Sequence, residues 1–382
     1  MRYIFLSLLL GASAPAFAQV DFPATCPGGT FIELDGQLTC EKQDSLALLI
    51  ADFEKTELEH DIFRRGQEGD RDALKQLPDI SPEFIKKQND STTAFLARHG
   101  ALSTVPMQPD ERLNYDLLGF VLTQRQRLAP FDVARVPFTN DSGFFNQLSF
   151  IVRQTRFKTP EDYEAYAARL TRLPRFFAQA KENMRRGIQT NFTASAEILP
   201  GIQEMIDRMA EASSSEHPLF VPFKDFPDNF SDEDKTRLKA LGEAALESAV
   251  LPSYRDLSKF MREEYLTAAR ESAGLGTSEA EREYYRAVTR FFTTLDISPD
   301  EVHALGLSEV ARIRGEMDAV IADVGFEGSF ADFLTFLRTD PQFYAKSRKE
   351  LLMHASFIAK QIDGKMPEYF ETLPRLLSLI HI

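Results

Sequence analysis

From Thr159 the chain reads TPEDYEAYAARLTRLPRFFAQAKENMRRG, and its apolar residues recur at alternating steps of three and four. Tyr163, Tyr166, Leu170, Leu173, Phe177, Ala180 and Met184 therefore share one face of a helix, which leaves water only by packing against a neighbour. The opening residues agree. Thr159 suits an N-cap and Pro160 the first helical position, while Glu161 and Asp162 put negative charge at the positive end of the helix dipole. Pro174 predicts a kink in this rod and Gly187 its end.

The same grammar returns downstream. In SPDEVHALGLSEVARIRGEMDAVIADVG, Ser298 caps, Pro299 follows, Glu301 closes a capping box, and Val310, Ile313, Met317, Val320 and Val324 line one face before Gly325. In SRKELLMHASFIAKQIDG, Ser347 and Glu350 form the box, with Leu351, Ala355, Ile358 and Ile362 as the stripe. Ser329 opens a shorter helix that stops at the Asp340-Pro341 turn, because a residue before proline avoids the helical region. Further helices are expected around residues 44–62, 111–130, 195–212, 232–249 and 251–273. EHPLFVPFKDFPDNF is the best internal boundary by its prolines, and its four Phe predict a strapped-down connection. No fixed-period repeat is visible. The expected architecture is a large, all-α body.

The N-terminus differs. Arg2, the apolar stretch Tyr3 to Leu10, and Ala16-Phe17-Ala18 match a signal peptide over residues 1–18, too short for the ~20 apolar residues of a membrane span. Export, to the periplasm or the medium, is expected. Cys26 and Cys40 are the only cysteines, and between them Asp35-Gly36 separates two short β-prone runs, a hairpin signal. In an oxidising compartment a Cys26–Cys40 disulfide over residues 19–41 is expected, worth roughly 3 kcal/mol in the chain-entropy picture. A two-thiolate metal site lacks further Cys or nearby His.

A formal charge of -14 without a basic cluster argues against a nucleic-acid partner. The six histidines, His60, His99, His217, His303, His354 and His381, form no His-Glu-x-x-His pair. Gly-x-Ser-x-Gly, P-loop and dinucleotide fingerprints do not occur either. Residue chemistry alone stops at an exported helical protein.

Three segments go further. LPSYRDLSKFMREEYLTAAR (251–270), EYYRAVTRFFTTLDISPDEVHALGLSEVARIRGEMD (283–318) and VGFEGSFADFLTFLRTDPQFYAKSRKELLMHASFIAKQIDGKMPEYFETLPRL (324–376) together resemble the bacterial family catalogued as domain of unknown function 885. The resemblance implies an exported, largely helical, zincin-like protein and a zinc-dependent peptidase-like hydrolase acting on peptides. Its metal motif, His-Glu-x-x-Pro-Gly-His, is expected downstream of Leu-Pro-Arg-Leu, beyond this chain. Residues 42–376 then read as an incomplete family domain, and Leu377 to Ile382 as the translation of a sequencing adapter. On that reading zinc belongs to the full-length parent, whereas this chain has no metal site, no catalytic residue and no activity of its own.

Within the most family-like stretch, Tyr284, Tyr285, Thr293, Thr294 and His303 are substrate-cleft candidates, since hydroxyls and an imidazole can orient a substrate. They can equally cap and pack helices. The alternative function is a non-enzymatic, exported helical protein binding peptides or envelope components; a natural short paralogue that regulates the full enzyme is a third.

Overall fold

The computed structural model describes residues 45–276 and 278–373, and the backbone of residues 29–34 and 37–42. Strands β1 (Gly29–Leu34) and β2 (Gln37–Lys42) are antiparallel, with Leu34 opposite Gln37 and Phe31 opposite Cys40. The expected bridge to Cys26 lies outside the described residues, as do the signal peptide and the terminal hexapeptide.

Among the described residues every other regular element is helical, and the fold is all-α. The chain forms two compact units, one up to Asp296 and one from Ile297. In the first, α1 (Leu46–His60), α2 (Ile62–Gln67), α3 (Pro82–Ala101) and α4 (Pro109–Leu128) come first. Leu49, Phe95, Leu102, Tyr115, Leu118 and Leu122 form a small core among α1, α3 and α4. His99 fits there because Gly119 leaves it room: a Cβ at Gly119 would lie 2.6 Å from the imidazole. The ring stacks on Tyr115, centroids 3.8 Å apart, and donates Nε2–H to the Tyr115 carbonyl at 2.9 Å.

A larger core follows, built by α5 (Gln147–Gln154), α6 (Pro160–Leu170), α7 (Leu173–Gln189), α8 (Leu199–Glu211), α9 (Asp232–Ala245) and α10 (Leu251–Phe260). All seven stripe residues from Tyr163 to Met184 are buried in it. The rod carrying them is not kinked but divided. α6 ends at Leu170, and Pro174 sits in the first turn of α7, where its missing N–H forfeits no helical hydrogen bond. Gly187 does not end α7 either. It lets two segments meet, because a Cβ there would lie 2.7 Å from the Phe192 carbonyl oxygen and 3.0 Å from that of Arg135.

The Pro- and Phe-rich connection is strapped down, inside the first unit rather than between units. Its 3-10 helix Pro218–Phe223 buries Phe220 and Phe223, and Tyr166 donates its hydroxyl to the Leu219 carbonyl at 3.0 Å. Residues 232–268 then run as one rod rather than two helices. Wider π turns at Leu246–Val250 and Met261–Tyr265 join α9 to α10 and α10 to a last 3-10 turn. The first precedes Pro252, which has no N–H to offer the preceding turn. α11 (Glu279–Thr293) closes the unit, opened by a Ser278/Glu281 capping box.

The second unit holds α12 (Pro299–Asp323), α13 (Phe330–Thr339) and α14 (Arg348–Tyr369). Ser298/Glu301 and Ser329/Asp332 form reciprocal capping boxes. At α14, Ser347 caps the Glu350 N–H, but Glu350 reaches back to the Lys346 N–H at 2.6 Å instead of that of Ser347. Phe326, Phe333, Phe336 and Phe343 touch ring to ring around α13. Ile321 is the single buried hydrophobic residue described in this unit. Val310, Ile313, Met317, Val320 and Val324 on α12, and Leu351, Ile358 and Ile362 on α14, are exposed.

Candidate functional site

Of the residues singled out in the sequence, Tyr284, Tyr285, Thr293 and Thr294 belong to the first unit and His303 to the second. Tyr284 packs its ring between Phe131 and Phe192, at 5.4 and 5.7 Å, and burial pushes its phenol pKa up. Tyr285 on the next position is largely exposed. Thr293 donates its hydroxyl to the Thr289 carbonyl and accepts from the Leu295 N–H, while Thr294 ends α11 in the left-handed conformation with φ 60°. Both threonines thus terminate a helix. His303 is exposed on α12, in the second unit.

The other described histidines are also dispersed. His217, fully buried, accepts the Leu219 N–H on Nδ1 at 3.2 Å and caps the 3-10 helix. Burial pushes its pKa down to about 4, so the imidazole is neutral at physiological pH. His354 is exposed 4.0 Å from Glu350, and His60 sets its ring edge-on to Phe84. Among the described residues no three His, Cys, Asp or Glu come close enough to hold a metal ion. The side chains present here do not fit a zinc site, which needs about three protein donors around one point.

What the fold does build is a groove of about 670 Å³ between α1, α3, α4 and the turn after α4. Phe53, Ile85, Phe95, Leu128 and Val133 give it an apolar lining, and Phe291 from α11 reaches its edge. Gln88 and Asn89 on α3 and His60 at the end of α1 add polar groups. None of these three side chains makes a hydrogen bond among the described residues. Of the charges at the rim, Arg125, Glu57 and Asp132 are paired, and the Asp61 carboxylate accepts the Phe63 and Arg64 N–H groups at the start of α2. Arg125 holds Glu57 in a fork at 2.7 and 2.6 Å, which raises the Arg125 pKa, and Asp132 accepts from Arg186 at 2.7 and 3.1 Å. The groove therefore offers apolar surface and free carboxamides, without a strong net charge.

Sequence reasoning missed these groove residues. Gln88 and Asn89 stand on a helix face that reads as solvated, and only the crossing of α1, α3 and α4 makes it a wall.

With the geometry in place, comparison defines the class: the family described as bacterial protein of unknown function (DUF885) matches residues 64–379, and the chain belongs to it. A solved structure with the same fold is a protein of Colwellia psychrerythraea described as a candidate lipoprotein. The likeness has a TM-score of 0.74 at 20% identity, over 86% of this chain and 60% of that one. The chain thus spans less than two thirds of that protein's length. No curated protein matches the chain. No helix among the described residues is long and apolar enough to cross a membrane.

Proposed function

We propose that this chain is the substrate-holding helical part of an exported, zinc-dependent, peptidase-like hydrolase of the zincin class, and that its groove takes peptide. The groove carries the reading. Gln88 and Asn89 each present a donor and an acceptor, the pair an extended peptide backbone needs, beside apolar surface for its side chains. Zinc and the hydrolytic step belong, on this reading, to a longer protein; the donor set described here does not fit the metal, so no step is derived through it. Export rests on the signal-peptide pattern of residues 1–18, and a Cys26–Cys40 disulfide would staple the hairpin after export.

A second reading, a non-enzymatic binder of peptides or envelope components, draws on the same groove, because recognition there requires no metal. Calorimetric titration with an unstructured peptide, the oxidised insulin B chain, tests the groove. Saturable binding is expected, weakened about tenfold in Asn89→Ala, where one or two hydrogen bonds are lost, and abolished by filling the groove in Val133→Trp. Undiminished binding in both variants refutes the site. Metal content and peptide hydrolysis of the protein from the resequenced locus then separate the two readings: a longer product without zinc or activity leaves the binder.

A further inference from the structure

Arg169, on α6, is 3% exposed, and no carboxylate among the described residues meets it. Its guanidinium makes one hydrogen bond, from Nη2 to the Ala73 carbonyl at 3.0 Å, and lies 5.4 Å from the centre of the Phe63 ring. Nε is buried without a partner. A charge held this way is costly, because a desolvated guanidinium needs either a counter-ion or all its donors satisfied. Burial accordingly lowers its pKa to about 10, which still leaves it charged at neutral pH.

Arg169 lines a separate cavity of about 340 Å³ between α2, the 3-10 turn Ala73–Lys75, α5 and α6. Arg71 and Arg156 line the same cavity, and Asp162 is the only carboxylate in its lining among the described residues. Asp162 is already engaged. One oxygen accepts from the Lys158 and Thr159 N–H groups at 3.0 and 2.9 Å, and the other faces Arg71 at 3.4 Å. Arg156 has no carboxylate partner among the described residues. Three arginines thus line one cavity against one committed acid, in a chain whose overall charge is -14. Phe63, Leu74 and Ile151 supply an apolar side to the same space.

We propose that this cavity is a binding site for a small organic acid, held through a carboxylate or phosphate group by Arg169 and Arg156, with its carbon portion against Phe63 and Ile151. Guanidinium is the side chain suited to both oxyanions, since its planar fork matches two oxygens at once. The site is distinct from the peptide groove and does not depend on it.

The test titrates the whole chain with sodium succinate and, separately, inorganic phosphate, against equal ionic strength of sodium chloride. Saturable binding of at least one probe and a raised melting temperature are expected. Succinate alone identifies a carboxylate site; phosphate alone identifies a phosphate site. Arg156→Gln, at an exposed position, should keep the fold and weaken binding about tenfold. Arg169→Met should abolish binding while raising the melting temperature without ligand, because the buried charge is gone. Effects that chloride reproduces, no binding of either probe, or full affinity in Arg156→Gln would overturn the proposal.

Discussion

Gly242 on α9 faces the ring of Phe223, and the contact there predicts the outcome of a single methyl. In Gly242→Ala the new Cβ would lie 2.5, 2.6 and 2.8 Å from Cδ2, Cγ and Cε2 of that ring. Phe223 cannot swing aside. It is fully buried, with Tyr163, Tyr166 and Phe220 around it at centroid distances of 5.9, 5.8 and 5.6 Å. Overpacking a core of this kind costs about 1–3 kcal/mol. Alanine returns about 1 kcal/mol through helix propensity, which leaves a net loss of about 0–2 kcal/mol. Gly201, near the start of α8, is the control, since a Cβ there meets nothing within 4 Å. Gly201→Ala should be neutral or stabilise by up to about 1 kcal/mol. The chain has no Trp, so far-UV circular dichroism in urea is the suitable probe. If Gly242→Ala unfolds at the same urea concentration as Gly201→Ala, the close approach of α9 to Phe223 is refuted.

Two further outcomes follow from burial. His217, whose folded pKa of about 4 lies below the unfolded value near 6.5, contributes stability that is complete above about pH 6.5 and lost as pH falls toward 4. His217→Asn, which can still cap the Leu219 N–H, should flatten the pH dependence of unfolding in that window; an unchanged slope would show that other groups carry it. Residues 297–373, with Ile321 as the lone buried hydrophobic described there, should exchange their helical amides far faster than α6, α7 and α10. Equal protection by mass spectrometry would mean that something covers this unit in solution.

The parts of the fold legible in the sequence are those where one local rule suffices. Ser298 with Glu301 needed only a capping residue and an acid three positions on, and forms a reciprocal box; Thr159, read as a cap, forms one with Asp162. The stripe from Tyr163 to Met184 needed only its period. α3 escaped because its mean character is polar: of Pro82–Ala101, three residues, Thr92, Phe95 and His99, are buried, and two of those are polar. Pro174 and Gly187 were misplaced for a related reason. Each residue has two helical uses, and the choice was made by partners distant in sequence, such as the Arg135 carbonyl that approaches Gly187. The candidate sites lie wholly beyond local reading. Nothing near Arg169 in sequence says that residues 63–74 will enclose it, and nothing near Gln88 says that α1 and α4 will make its helix a wall. The exposed apolar faces of α12 and α14 show the converse: a clear stripe does not reveal what it packs against.

The π turn at Leu246–Val250 keeps a repeat of four in step with a helix that turns every 3.6 residues. Leu238, Gly242, Leu246, Val250 and Tyr254 are all buried, and a row spaced by fours would slide off a plain α-helix by about 40° per turn. The wide turn takes up one surplus residue and brings the row back. Removing one residue from 246–250 would therefore let the wide turn close to an ordinary α turn and leave Tyr254 on the Phe145 carbonyl that its hydroxyl holds, whereas removing one from Asp232–Ala245 would rotate everything after it by about 100°.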